Sequence, residues 1–88
     1  MKKVRVSIYD PGDRCTYDLD LTQDDMLALW NMKNLKKHLI DLPSIGGNAN
    51  LSGNQVHIMY RSGGGMESIG VNFFTLKKIL EEALPSFN

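Results

Sequence analysis

Cysteine is almost absent from this chain. Cys15 stands alone, so no internal disulfide can form and no cysteine set at metal-ligand spacing exists for a zinc site. Stability has to come from packing, because 88 residues make one domain near the lower end of sizes that fold without staples. Long apolar runs are also missing. None approaches the roughly 20 residues that span a bilayer, and Met1-Lys2-Lys3-Val4 leads straight into an alternating pattern with no signal-peptide apolar region. These absences point to a reducing, cytoplasmic setting without membrane insertion, where the Asn50-Leu51-Ser52 glycosylation sequon is a chance match.

Excess charge of one sign is lacking too. Ten lysines and arginines cancel ten aspartates and glutamates, which argues against nucleic-acid and anionic-membrane binding, since both draw on positive excess. The balance is uneven along the chain, however. Asp10, Asp13, Asp18, Asp20, Asp24 and Asp25 oppose Arg14 in the first part, whereas Lys33, Lys36, Lys37 and Arg61 oppose Asp41 in the middle. Such a dipolar surface orients partners even at zero net charge.

What is present is a pattern stated twice. Lys3–Tyr9 and Cys15–Leu21 alternate as strands do and lead into a helix that Thr22 caps; Gln55–Arg61 and Glu67–Val71 do the same ahead of a helix that Asn72 caps. The expected architecture is therefore α+β, ββαββα: one four-stranded antiparallel sheet with two helices packed on one face. Residues 1–42 and 54–88 form a pseudo-repeat within a single domain 1–88, joined by a Gly/Asn-rich loop over 43–53.

In the first hairpin, Val4, Val6 and Ile8 share one face. A turn centred on Asp10-Pro11-Gly12-Asp13 pairs Ile8 with Cys15, Val6 with Tyr17 and Val4 with Leu19, and sets Arg5 opposite Asp18 and Lys3 opposite Asp20. That register puts Cys15 in the core as an inert thiol. Asp25 takes the reciprocal capping position after Thr22, with Leu21 and Met26 as the hydrophobic staple. Ala28, Met32, Leu35, Leu39 and Leu42 then recur at spacings of four and three, which predicts a helix running to Pro43. In the second half, Val56, Ile58 and Tyr60 align with Ile69 and Val71, while the Ser62-Gly63-Gly64-Gly65 turn leaves the register open by two residues. The last helix buries Phe73, Leu76, Leu80 and Ala83. Trp30, Phe74 and Phe87 fall outside the two helical stripes.

Chemistry has few carriers in this pattern. Cys15, His38 and His57 are the sensitive side chains, and alternation places Cys15 and His57 on opposite faces. The aspartates already have structural work in a turn, cross-strand pairs and a cap, so the sequence reads as no enzyme, with no catalytic residues, no cofactor and no metal site. It reads instead as a non-enzymatic interaction module that binds a protein partner, as an inhibitor, immunity-type or regulatory protein does. The partner-binding residues are Arg5, Tyr9, His57, Met59 and Arg61, on the sheet face that the helices leave open. Such a face or a free edge strand also suits a homodimer. The alternative is a small-molecule or nucleotide-phosphate binding protein, in which Arg61, Ser62, Gly63, Gly64 and Gly65 cradle an anion between backbone amides and a guanidinium fork.

Overall fold

The first hairpin sets the frame for everything packed on it. A computed structural model describes residues 1–88; in it β1 (Lys3–Asp10) pairs antiparallel with β2 (Cys15–Thr22). The register is Ile8 with Tyr17, Val6 with Leu19, Val4 with Leu21 and Arg5 with Asp20. This is two residues away from the expected pairing, and a shift of two leaves every side chain on its expected face. The cause is a longer loop. Asp10 Oδ1 accepts from Gly12 N at 2.7 Å, Asp13 Oδ1 accepts from Cys15 N at 3.0 Å, and Arg14 takes a left-handed φ of 58° while its N–H donates to Asp10 O. Four loop residues, Pro11 to Arg14, replace a tight Pro-Gly turn whose twist does not suit the strands. Cys15 is thereby carried to the hairpin end, where it is exposed, correcting the buried position expected for it.

Thr22 caps α1 (Gln23–Asn31), its Oγ1 accepting from Asp25 N at 3.3 Å. Met26, Leu29 and Met32 line its buried side. The helix stops well before Pro43. Lys36 adopts a φ of 52°, Lys36 N–H donates to Lys33 O and Lys37 N–H donates to Met32 O, the paired bonds of a Schellman closure built here on a non-glycine residue. Leu35 and Leu39, expected on the helical stripe, are exposed instead.

The chain then turns into strands where a helix end and a loop were expected. β3 (Leu39–Leu42) runs into a 3-10 turn, Pro43–Ile45, and β4 (Gly47–Ser52) returns against it with Ile40 opposite Ala49. Ile40, Leu42, Ala49 and Leu51 alternate into the core. β5 (Gln55–Ser62) and β6 (Gly65–Asn72) complete a four-stranded antiparallel sheet in the order β3-β4-β5-β6, while β1-β2 forms a separate two-stranded sheet. The fold is thus α+β with two sheets, and the single four-stranded sheet of a ββαββα layout is corrected. The physical reason is that the central segment has its own period-two apolar pattern, long enough to bury two more strands.

Asn72 Oδ1 accepts from Phe74 N at 2.9 Å and Thr75 N at 3.3 Å to cap α2 (Phe73–Ala83), whose Phe73, Leu76 and Leu80 are buried. One cluster of buried side chains draws on all six strands and both helices. The two sheets are held edge to edge at Asp10, whose Oδ2 accepts from Gly70 N at 2.8 Å. No helix is long and apolar enough to cross a membrane.

Candidate interaction surface

The outer face of the four-stranded sheet can be read row by row from its register. Leu39, Asn50, His57 and Gly70 form one row across β3 to β6, and Asp41, Asn48, Met59 and Ser68 form the next. Arg61 and Met66 continue it on β5 and β6. The helices pack on the opposite side, so no helix covers these side chains. Met59 is 44% and Met66 55% exposed, and Tyr9 on β1 is 52% exposed. Beside Met59 lie hydrogen-bonding groups from Asn48, Asn50, His57 and Ser68, with Asp41 on β3 and Arg61 in the end row.

All five residues singled out from sequence are exposed, and the structure divides them into two groups. Tyr9 adjoins Asp10, which is bonded to Gly70, the cross-strand partner of His57; Met59 lies two residues along from His57 on the same face. His57 and Met59 thus share one face, and Tyr9 stands beside Asp10 on the neighbouring strand β1. A methyl group placed on Gly70 would come 3.3 Å from Gln55 Nε2 and 3.7 Å from both Asp10 Oδ2 and His57 Cε1, so the missing side chain lets Asp10, Gln55 and His57 converge on one spot. Asp10 is held below the usual carboxylate range, chiefly by the Gly70 N–H, then by Gly12 N–H, with the His57 imidazole contributing.

Arg5 and Arg61 belong to a second, charged region. Arg5 makes a two-pronged ion pair with Asp20 at 2.9 and 3.1 Å, which lowers the Asp20 carboxyl and raises the guanidinium. Asp18 is held by Ser7 Oγ at 2.6 Å. A polar cleft of about 360 Å³ lies between Lys3, Asp18, Asp20, Ser44 and Arg61. The Arg61 stem passes over Gly46, whose Cβ position would be 3.5 Å from Arg61 Cδ.

The glycine-rich turn has a backbone reason of its own. Gly63 and Gly64 have φ of 56° and 89° between the paired residues Ser62 and Gly65, the two-residue hairpin turn whose twist matches its strands and which requires positive φ at both positions.

Met66 escaped sequence reasoning because the register of the second hairpin was open. Once Ser62 pairs with Gly65, Met66 must face outward beside Arg61. Asn48 and Asn50 were missed with their strand, although Ser52-Gly53-Asn54-Gln55 carried the signal: Gly-Asn between alternating segments is a hairpin turn, here with Gly53 at a φ of 60°.

No protein-family model matches the chain, and no curated protein or solved structure matches it either.

Proposed function

We propose that this chain is a non-enzymatic interaction module, acting in a reducing, cytoplasmic setting on a protein partner, as inhibitors, immunity-type proteins and regulatory subunits do. The observation that carries the reading is the composition of the open sheet face. Its middle rows hold Met59 and His57 among neutral amides and hydroxyls, Met66 follows in the end row beside Arg61, and Asp41 lies on the outer strand β3. That arrangement fits the anatomy of protein interfaces, where charged residues are depleted at the core and methionine and aromatic side chains are enriched. Methionine adds adaptability, since its unbranched thioether fits irregular surfaces. Tyr9, adjoining the Asp10 junction, supplies the aromatic contact.

The reading is tested by capturing partners from native lysate with the wild type beside Tyr9→Ala, Met59→Asp and Met66→Asp, and then measuring affinity for the protein retained. The expected result is a partner held by the wild type and weakened tenfold or more by Met59→Asp, a loss in the ordinary range for a central interface residue. Lys78→Asp, on the helical side, should leave binding intact. Equal capture by all folded variants would overturn the proposal.

A further inference from the structure

Phe74 stands half in solvent among three ammonium groups. It lies in the first turn of α2 and is 50% exposed, with its ring packed edge-on against the buried Phe73 at 5.5 Å between centroids and 77° between planes. Lys77 and Lys78 follow three and four residues on, the two positions that neighbour Phe74 on the helix surface. Lys33, from the turn after α1, lies over the same ring at 5.0 Å from its centroid and donates to Asn54 Oδ1. The ring is thus fixed in place by Phe73 and Lys33 while half of it remains open.

None of the three lysines has a carboxylate partner within the chain, whose one ion pair joins Arg5 to Asp20. Glu81 stands four residues beyond Lys77, the spacing that favours a pair on a helix. It accepts instead from Trp30 Nε1 at 3.3 Å, and Lys77 lies over the Trp30 ring at 4.5 Å from its centroid. An aromatic face attracts a cation without neutralising it, so the charge on Lys77 remains available. The first turn of α2 also carries no acidic residue, whereas that of α1 carries Asp24 and Asp25. The positive end of the helix dipole therefore adds to the same field.

Charge and shape together select the occupant. An exposed ring among unpaired cations complements an apolar side chain flanked by carboxylates. Nucleic acid fits less well, since single strands need several rings to stack successive bases along a cationic groove, and this surface has one exposed ring with Glu81 a turn away. We propose that this helical surface binds an acidic segment of a partner protein, whose apolar residue packs on Phe74 and whose carboxylates meet Lys33, Lys77 and Lys78. The surface is separate from the open sheet face and stands or falls independently of it.

Trp30 is the chain's one tryptophan, so its indole N–H is an unambiguous reporter beside Lys77. The probe is a short peptide with a leucine flanked by glutamates, titrated into isotope-labelled protein while the Trp30 indole and the α2 amides are followed by nuclear magnetic resonance. The expected result is a saturable shift centred on Trp30, Phe74 and Lys78 that weakens as salt is added. Phe74→Ser and Lys78→Glu, the latter at an exposed position, should each raise the dissociation constant at least about fivefold, with circular dichroism showing that the variants are folded. Met59→Asp should leave it unchanged, and the same peptide with lysines in place of glutamates should not bind. No saturable shift at millimolar peptide overturns the inference. So does unchanged affinity in either folded variant, an equal response to the lysine peptide, or a response to single-stranded RNA alone, which would assign the surface to nucleic acid.

Discussion

The Asp10 carboxylate accepts a hydrogen bond from the backbone N–H of Gly70 at 2.8 Å, across 60 positions of sequence, and so joins the edge of one sheet to the edge of the other. Its second oxygen accepts from Gly12 N at 2.7 Å, so the residue that fastens the sheets also shapes the first hairpin loop. The native carboxyl titrates below its ordinary range for these reasons. A depressed native value means the ionised form stabilises the fold at pH above the ordinary aspartate value, about 3.9. That stabilisation is lost as pH falls through the lowered native value.

Asp10→Asn keeps an acceptor but removes the charge. Its stability deficit relative to the wild type should be constant above about pH 5 and should shrink below about pH 4, as the wild-type carboxyl protonates. Chemical denaturation across that range measures it. The variant should still be acid-sensitive, because Asp20 is also held low by Arg5. A deficit that grows on acidification would show that the charge at Asp10 does not stabilise the fold.

Cys15 sits at the hairpin end with its Sγ 3.5 Å from Asp13 O. The native protein should react with a bulky thiol reagent at a rate close to that of the unfolded chain, and Cys15→Ser should change stability by no more than about 0.5 kcal/mol, as surface substitutions do. Slow labelling that speeds up only on unfolding would place the thiol inside.

The two hairpins, the helix caps and much of the core were legible because they rest on local pattern. Val6, Ile8, Leu19, Ile58 and Ile69 alternate, and Thr22 and Asn72 cap as their positions require. What was not legible had competing local signals. Leu35, Leu39 and Leu42 fit a helical spacing, while Ile40 and Leu42 fit a strand; the choice was made by Lys36, whose left-handed backbone ends the helix without the glycine that usually announces it. The first-hairpin register was ambiguous for a similar reason. Both pairings put apolar opposite apolar, and the loop bonds from Asp10 and Asp13 decided between them. The Asp10–Gly70 junction and the convergence of Asp10 and His57 beside it depend on contacts far apart in sequence, which no periodicity records.

Gly47 marks the tightest approach in the central sheet. A methyl group there would lie 1.8 Å from Met59 O and 2.7 Å from Tyr60 Cα, so the β5 backbone would have to move. Gly47→Ala should cost at least 1–3 kcal/mol, the usual penalty of overpacking, roughly. Gly70→Ala meets chiefly the flexible end of Gln55 at 3.3 Å and should cost much less. Denaturant midpoints for the two variants test the contrast, and equal losses would contradict the close approach at Gly47.

Asp25 ties the first turn of α1 to the turn between β3 and β4. It is a buried carboxylate, and although its N–H bonds the Thr22 cap, its side chain does not close the reciprocal cap; one oxygen accepts from Ser44 N at 2.9 Å and from Ser44 Oγ. The helix start therefore positions the Pro43–Ile45 turn, and through it the alignment of β3 with β4. Asp25→Ala strands the Ser44 N–H and should cost about 1.5–3 kcal/mol, the range for hydrogen bonds to a charged group. Ser44→Ala removes only the hydroxyl bond and should cost about 0.5–1.5 kcal/mol. Because the two residues share one interaction, the double variant should lose less than the sum of the singles. Hydrogen exchange adds a local readout: Asp25→Ala should accelerate exchange in β3 and β4 before it does so in β5 and β6. Additive losses, with protection in the central strands unchanged, would mean that the Pro43–Ile45 turn holds its position without Asp25.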